Sequence, residues 1–347
     1  MNETGKKNAI TDVTGLTVGT ADDPGIRTGV TVILPDERAV AAVDVRGGGT
    51  GTRELELLGA DGTLDAVDAI VLSGGSAFGL SAADGVMGWL ADRGRGFPVA
   101  DLRVPIVPGA ILFDLLNGGD KAAFRAAPDS ALPYRDLARS AAAGASDETD
   151  IGNAGAGYGA TTTGHDGRPL KGGQGTASAV IDGWITVGAL AAVNALGSTV
   201  GSDEGQFLAG MHEVGDEFGG LGGPAAIQVH DHPVRKYAHD AAASNTTLAV
   251  VATDARLTKA QARRVATMAQ AGLARAIRPV FSPMDGDVVF ALSTGMHEIE
   301  DAIADTARIG MAAADCLARA VARGVFAARG FEGWPAYADT YPRADGR

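Results

Sequence analysis

Short apolar runs along the chain predict a series of buried strands. Two of them, "TGVTVILP" and "RAVAAVDVRG", lie within residues 28–47 and meet at a turn-like Pro-Asp pair, and a third covers residues 69–72. A hairpin is predicted around Asp182-Gly183, a strong turn signal between two apolar runs. The run "TTLAVVATDA", which begins at Thr246, is typical of a strand buried on both faces, and "DVVFALST" predicts a last strand.

Apolar residues at three- and four-residue spacing predict three helices. The first spans Ala77 to Arg93 and ends before a glycine. The second follows Thr258, which forms a capping box with Gln261, and the third runs from Ile299 to about Arg323. Strands and helices follow one another without a regular βαβα alternation. This order favours an α+β layered sandwich over a doubly wound sheet.

Two segments lack a clear periodic pattern. Residues 116–150 are polar, alanine-rich and irregular, and residues 201–245 are predicted to form a long surface excursion. The second segment contains His230, His232 and His239, whose His-x-His spacing occurs in metal sites. Because no further cluster of carboxylates or histidines completes such a site, a flexible linker is favoured and no metal is expected.

The charge and composition of the chain restrict its partners. A net charge of −13 disfavours nucleic acid and anionic membranes, because both require a basic face. The 347 residues are 46% hydrophobic, yet no run is long enough to span a bilayer, and "MNETGKKNAI" is not followed by the apolar region of a secretory signal. The single cysteine, Cys316, excludes an internal disulfide framework. We therefore expect a cytoplasmic protein.

Glycine is twice as frequent as in ordinary proteins, at 50 of 347 residues. The segment from Gly155 to Gly159, "GAGYG", loosely resembles a dinucleotide fingerprint, but it follows a poor strand and no helix clearly comes after it. A nucleotide-binding or scaffold protein that uses this loop remains an alternative from a different functional class. A serine-hydrolase elbow is excluded at Ser76, because "GGSAFG" misplaces the second glycine of that motif.

The residues Asn245-Thr246, directly before a buried strand, have two interpretations. Turn-forming residues commonly lead into a core strand. Alternatively, the Thr246 hydroxyl attacks the Asn245 carbonyl, and the chain is cut after an N→O acyl shift. The new α-amine, with an ordinary pKa of about 7.7–8, would then serve as the general base of its own hydroxyl. The local pattern alone leaves both interpretations open.

Four further polar residues are candidates for the same chemistry. Asp285 and Asp287 lie either in a solvated turn or beside a threonine amine, where two carboxylates could orient the hydroxyl and balance the ammonium form. Lys171 is flanked by glycines and is either a surface residue or an ammonium buried beside a nucleophile. Asn194, within the apolar "LAAVNALG", is either a structural cap or an oxyanion donor, because a buried amide needs partners.

Many collinear segments resemble a single family over nearly the whole chain. It is the L-aminopeptidase/D-esterase-amidase family, which includes β-peptidyl aminopeptidases and nylon-oligomer (6-aminohexanoate-oligomer) hydrolases. The matching segments are "ITDVTGLTVGTA", "VDVRGGGTGTRE", "IVLSGGSAFGLSAADGV", "VPGAILFDL", "NAGAGYGATT", "LKGGQGTASA", "AAVNALG", "SNTTLAVVATDARLTKAQA" and "DGDVVFALSTG".

This resemblance implies a four-layer αββα sandwich, similar to N-terminal-nucleophile hydrolases but connected differently. Family members are made as precursors and cut once before a Ser or Thr, and the two parts stay associated. We therefore expect residues 1–347 to form a single domain that cleaves itself into 1–245 and 246–347. The expected partners are the chain's own cleaved fragment and further copies of the chain, in a homotetramer.

The resemblance also implies roles for individual residues. Thr246 aligns with the nucleophile, and Asn245 precedes the cut. Asn194 matches the oxyanion asparagine. Lys171 falls where aminopeptidase members carry a lysine, and Asp285 and Asp287 fall where the nylon-oligomer hydrolases carry two aspartates. In this scheme the aspartates orient the threonine, the lysine tunes its pKa, and no cofactor is required.

The chain combines features of two branches of this family. Aminopeptidase members usually place Ser at the cut and Ser-x-Glu where this chain has Asp285-Gly-Asp287, so these positions favour the nylon-hydrolase branch. "LKGGQGTAS" favours the aminopeptidases instead, and in the nylon branch the lysine comes from an earlier position, where this chain has "TTTGHD". The expected activity is hydrolysis of peptides or oligoamides. A strict aminopeptidase, a β-aminopeptidase or a D-amino-acid esterase/amidase is the alternative.

Overall fold

Two β-sheets lie face to face at the centre of the protein, with helices on both outer faces. The computed structural model describes residues 3–126, 132–228 and 245–341. The strands are β1 (Leu16–Asp23), β2 (Thr28–Pro35), β3 (Ala39–Val45), β4 (Gly51–Arg53), β5 (Ala66–Val67), β6 (Ile70–Ser73), β7 (Phe97–Val99), β8 (Leu102–Val104), β9 (Gly109–Ile111), β10 (Thr161–Thr163), β11 (Pro169–Lys171), β12 (Gly173–Ile181), β13 (Ile185–Asn194), β14 (Thr246–Ala255) and β15 (Val288–His297). The helices are α1 (Ala82–Ala91), α2 (Ala123–Ala126), α3 (Tyr134–Ala143), α4 (Lys259–Ala276), α5 (Ala304–Phe326) and α6 (Tyr337–Thr340).

The strands form a large and a small central sheet. The large sheet has the order β12-β13-β14-β15-β3-β5, and the small sheet has the order β1-β2-β6-β9-β4. Within the large sheet, β14 pairs antiparallel with β13 and parallel with β15, and β15 pairs antiparallel with β3. The strand pairs β7-β8 and β10-β11 are separate two-stranded ribbons.

Three hydrophobic cores separate four layers. The core between the sheets contains Leu248 and Phe290 from the large sheet and Ile33 from the small sheet. A second core lies between the large sheet and helices α4 and α5, and a third lies between the small sheet and helices α1 and α3. Because successive strand residues face opposite ways, strands between two cores need apolar residues at nearly every position. This layer order confirms the predicted α+β, αββα sandwich.

Most predicted elements agree with the structure. β12 and β13 form the predicted hairpin, whose turn is closed by the Trp184 N–H on the Ile181 carbonyl at 3.1 Å. Asp182 and Gly183, the two central residues of this turn, both have positive φ, of 50° and 78°. Thr258 caps α4 in a capping box with Gln261. All ten residues of β14 are buried, which confirms a strand buried on both faces.

The two strands predicted within residues 28–47 are confirmed as β2 and β3, which follow one another in sequence but belong to different sheets. Other predictions were wrong in part. Residues 116–150 were predicted to be irregular, yet α3 lies within them. Its buried residues Tyr134, Ala138 and Ala141 have helical spacing, but alanine gives only a weak apolar signal. The helix predicted from Ala77 opens as a 3-10 turn, and α5 begins five residues later than expected. No helix in the described ranges is both long and apolar enough to cross a membrane.

The central core makes a direct prediction about stability. Phe290 is completely buried between the sheets, so Phe290→Ala should lower the free energy of unfolding by about 3–5 kcal/mol through lost burial and a remaining cavity. Met311 on the outer side of α5 is 54% exposed, and Met311→Ala should change it by less than about 0.5 kcal/mol. Urea denaturation of both variants measures the difference, and equal losses would contradict this layer assignment.

Candidate active site

The parallel pairing of β14 with β15 brings two polar tripeptides side by side. In a parallel pair both strands begin at the same edge, and the register places Leu248 opposite Val288. Asn245 accordingly bridges to Asp285, three residues before the pair of Leu248 with Val288. On the other side of β14, Thr246 lies opposite Asn194, the last residue of β13. The candidate site is therefore built from the ends of three adjacent strands.

Thr246 is buried, and its hydroxyl donates a hydrogen bond to the carbonyl oxygen of Asn245. The backbone N–H of Gly286 donates to the same oxygen at 3.0 Å. By strand alternation, the Thr246 side chain shares its face with Leu248, in the core between the sheets. The peptide bond between Asn245 and Thr246 thus lies beside both a hydroxyl and an N–H donor.

Asn194 is completely buried, and both ends of its side-chain amide are bonded. Its Oδ1 accepts from the Thr161 N–H at 2.9 Å and from the Thr161 hydroxyl at 3.2 Å. Its Nδ2 donates to the carbonyl of Phe113 at 2.9 Å. Since a backbone N–H can only donate and a carbonyl can only accept, these contacts define which way the amide faces.

Asp285 and Asp287 are each only 1% exposed, so the solvated-turn interpretation was wrong. The Asp285 carboxylate accepts from the Leu196 N–H at 3.1 Å and from the Ser282 hydroxyl at 2.8 Å. The Asp287 carboxylate accepts from two further N–H groups, those of Thr247 at 2.7 Å and Phe281 at 3.0 Å. Asp287 therefore fixes the backbone next to Thr246, and Asp285 fixes the segment that follows Asn194.

The pKa of the Asp287 carboxyl is raised by its surroundings. Burial and the nearby charge of Asp285 together raise the pKa of the Asp287 carboxyl to about 7, against the lowering effect of the Thr247 and Phe281 N–H groups. Burial removes water from the charged form, and a second carboxylate repels it. Near neutral pH the site can therefore hold or release a proton.

Lys171 is completely buried, so its surface interpretation was wrong. Its ammonium donates to the carbonyls of Gly157, Ala160 and Gly172 at 3.1, 2.8 and 2.8 Å. An ammonium has three N–H donors, and these three carbonyls use them. Burial lowers the pKa of Lys171 to about 7. Lys171 lies opposite Thr161 in the β10-β11 ribbon, and Thr161 in turn donates to the Asn194 side chain. Lys171 is therefore linked to the site through Thr161.

The glycine-rich loop that prompted the nucleotide-binding alternative is filled by the protein itself. Gly155–Gly157 form a buried 3-10 turn. A Cβ at Gly155 would lie 2.0 Å from the Thr31 hydroxyl, and one at Gly157 would lie 2.1 Å from the Gln174 nitrogen. Glycine is required here for close packing against β2 and β12, so this loop does not present an open phosphate cradle.

Comparison with known proteins identifies the group to which this arrangement belongs. Residues 8–336 match the model of peptidase family S58. The chain belongs to this family. The match confirms the family predicted from the collinear segments, and the protein is a hydrolase that acts on amide bonds.

Individual relatives of this S58 hydrolase fall into both predicted branches. An uncharacterized aminopeptidase of Mycobacterium tuberculosis is 42% identical over 98% of this chain and 99% of its own length. A 6-aminohexanoate-oligomer endohydrolase of a Kocuria species is 30% identical over 85% of this chain and 77% of its own. The solved L-aminopeptidase D-Ala-esterase/amidase of Ochrobactrum anthropi, a variant of the Ntn hydrolase fold, has a TM-score of 0.67 at 23% identity and covers 94% of this chain and 88% of that one.

Several residues of the candidate site were missed by sequence reasoning. Gly286 lies between the two aspartates, and a Cβ there would be 2.6 Å from the Thr246 Oγ. Thr161 belongs to a run of three threonines that gave no functional signal. Asp114 is buried next to Phe113, where its carboxylate accepts from the Gly75 N–H at 2.8 Å and the Thr28 hydroxyl at 2.6 Å. Of these three residues, the sequence could have indicated only Gly286, through the Asp-Gly-Asp spacing.

The sequence also contains three histidines with the spacing of metal ligands. These residues, His230, His232 and His239, lie outside the described residues. Among residues 3–126, 132–228 and 245–341, no three His, Cys, Asp or Glu side chains are grouped so as to hold a metal ion.

The raised pKa of Asp287 predicts a pH dependence of stability. An unfolded Asp releases its proton near pH 3.8, whereas folded Asp287 keeps it up to about pH 7. Its contribution to stability is therefore present below about pH 4 and is lost as the pH rises through about 7. We expect Asp287→Asn to flatten this part of the stability profile, measured by urea denaturation in a Thr246→Ala background so that every chain has the same covalent form. An unchanged slope between about pH 4 and 7 would show that Asp287 titrates normally.

Proposed function

We propose that this S58 hydrolase cleaves its own chain between Asn245 and Thr246 and then uses Thr246 as an N-terminal nucleophile against amide bonds. The observation that supports this most directly is the Thr246 hydroxyl bonded to the Asn245 carbonyl, with the Gly286 N–H on the same oxygen. Strand pairing accounts for the Gly286 bond, but a turn that merely leads into a strand does not require the Thr246 hydroxyl to bond to the carbonyl that precedes it.

Self-cleavage proceeds by an N→O acyl shift. The Thr246 Oγ attacks the carbonyl carbon of Asn245, the bond from that carbon to the Thr246 nitrogen breaks, and the hydroxyl proton ends on the departing nitrogen. The product is an ester between Asn245 and the Thr246 Oγ. Water then hydrolyses this ester, leaving a carboxylate on Asn245 and a free hydroxyl and α-amine on Thr246.

Substrate hydrolysis uses the groups that self-cleavage exposes. The α-amine of Thr246 takes the hydroxyl proton as the Oγ attacks the substrate carbonyl, and the amide N–H of Asn194, with nearby backbone N–H groups, stabilises the oxyanion. Asp285 and Asp287 orient the new terminus through its backbone and balance its ammonium form, and Lys171 tunes its pKa. The acyl-enzyme is then hydrolysed. This scheme requires no cofactor and no metal.

The arrangement of strands supports continued association of the two fragments. Strands β14 and β15, both from residues 246–347, lie between β13 and β3, both from residues 1–245. Helix α5 adds a buried ion pair across the same boundary, in which Arg319 contacts Glu217 at 2.6 Å. We therefore propose that both fragments remain one domain. Assembly into a homotetramer and a cytoplasmic location stay predictions.

The proposed substrates are small peptides or oligoamides. The Thr nucleophile and the Asp-Gly-Asp pair favour an endo-acting oligoamide hydrolase, the activity named for the Kocuria relative. A strict aminopeptidase is the second candidate, because the relative with 42% identity is named an aminopeptidase. A β-aminopeptidase or D-amino-acid esterase/amidase activity is a variant of that second candidate.

Replacement of the nucleophile tests the proposal. Purified wild-type protein should separate into fragments of about 25 and about 10 kDa, in proportion to their shares of the 35.0 kDa chain. Thr246→Ala removes the attacking oxygen, so it should remain intact and inactive on denaturing gels and in amide hydrolysis assays. Thr253→Ala is a matched control, since Thr253 is buried on the same strand and lies seven residues from the cut. An active Thr246→Ala enzyme would refute the proposal.

A comparison of substrates separates the two candidate activities. An endo-acting enzyme should release products from oligoamides whose amino end is blocked, because it does not need to recognise a free amine. A strict aminopeptidase should hydrolyse amino-acid p-nitroanilides and leave the blocked oligoamides intact. Chromatographic product analysis with both substrate sets decides between them, and turnover of the p-nitroanilides alone would exclude the endo-acting candidate.

A further inference from the structure

We propose that the backbone N–H of Gly286 is the oxyanion donor for self-cleavage, so that the cut after Asn245 does not require Asn194. This inference rests on the proposed function. It assigns the oxyanion of self-cleavage to the Gly286 N–H and the oxyanion of substrate hydrolysis to the Asn194 amide. During the acyl shift, negative charge develops on the Asn245 carbonyl oxygen. An effective donor must already lie about 2.7–3.1 Å from that oxygen, and the Gly286 nitrogen is 3.0 Å from it.

The same hydrogen bond continues the parallel ladder between β14 and β15. It differs from the other ladder bonds because its acceptor is the carbonyl under attack. Gly286 also borders the attacking atom, since a Cβ at this position would lie 2.6 Å from the Thr246 Oγ and 2.7 Å from the Gly49 carbonyl. Only glycine lets this backbone approach the hydroxyl and the carbonyl together.

The residues on both sides of Gly286 hold its N–H in place. Asp285 is tied through its carboxylate to Leu196 and Ser282, and its own carbonyl accepts from the Gly49 N–H at 2.7 Å. Asp287 is tied through its carboxylate to Thr247 and Phe281. A donor fixed in advance needs no rearrangement as charge develops, which is the requirement for electrostatic catalysis. The aspartates therefore act as positioning residues for Gly286.

The Asn194 amide is oriented by a different set of groups. Its Oδ1 faces Thr161 and its Nδ2 faces the Phe113 carbonyl, on the segment that follows β9 in the small sheet. The Asn245 carbonyl, by contrast, is bonded from the β15 side. Self-cleavage thus has its own donor in the Gly286 N–H, and the proposed function assigns Asn194 to an external substrate carbonyl.

Removal of the Asn194 amide separates the two reactions. In Asn194→Ala, the half-time of self-cleavage, followed on gels after expression and purification, should stay within about threefold of the wild type. The kcat for amide hydrolysis should fall by about 10²–10³, the usual effect of losing one oxyanion donor. Asn194→Ser is a second variant, whose hydroxyl can still bond to Thr161 but is shorter than the amide, and it should behave in the same way.

A control accounts for general loss of stability. Asn8 is an asparagine whose side chain is bonded to Glu217 and Arg319, and Asn8→Ala should keep both reactions at the wild-type level. Circular dichroism and gel filtration identify which variants fold. Cleaved but inactive Asn194 variants support the inference. Folded Asn194→Ala and Asn194→Ser chains that stay intact, while the wild type is fully cut, would overturn it and leave the proposed function standing. An intact yet active wild type would overturn both.

Discussion

The parallel pairing of β14 with β15 is the interaction on which the site depends. Parallel strands start at the same edge of a sheet, so a register with Leu248 opposite Val288 necessarily places residues 245–247 beside residues 285–287. The antiparallel partner β13 ends at the same edge, which adds Asn194 opposite Thr246. A shift of one residue in either pairing would turn the Thr246 side chain away from the core between the sheets and would separate the proposed nucleophile from Gly286.

Burial gives these polar groups their chemical character. Around the strand ends, two carboxylates, an ammonium and an amide are almost completely removed from water. Each is held by backbone N–H or carbonyl groups, which satisfy hydrogen bonds without neutralising charge. Burial and the neighbouring charge of Asp285 raise the pKa of Asp287, and burial lowers the pKa of Lys171, both to about 7. Both residues are therefore in the range where proton transfer is feasible at neutral pH.

The sequence predicted the layers of the fold better than the long-range contacts between its strands. Apolar periodicity was sufficient for β14, the hairpin at Asp182-Gly183 and the capped helix α4, because each depends on neighbouring residues. The separation of β2 and β3 into different sheets depends on long-range pairing that no local pattern contains. Residue types and resemblance singled out Asn194 and Lys171, but not Thr161, since a threonine among three threonines has no distinctive composition. Gly286 became apparent only through its 3.0 Å contact with the Asn245 carbonyl.

The most direct measurement of the central claim is the N-terminal sequence of every polypeptide in a sample whose amide hydrolase activity has been confirmed. Our account predicts one sequence from the beginning of the chain and a second that reads Thr-Thr-Leu-Ala-Val-Val-Ala-Thr-Asp-Ala, starting at Thr246. Fully active protein with only the first sequence would show that the amine of Thr246 is never released and would contradict the account.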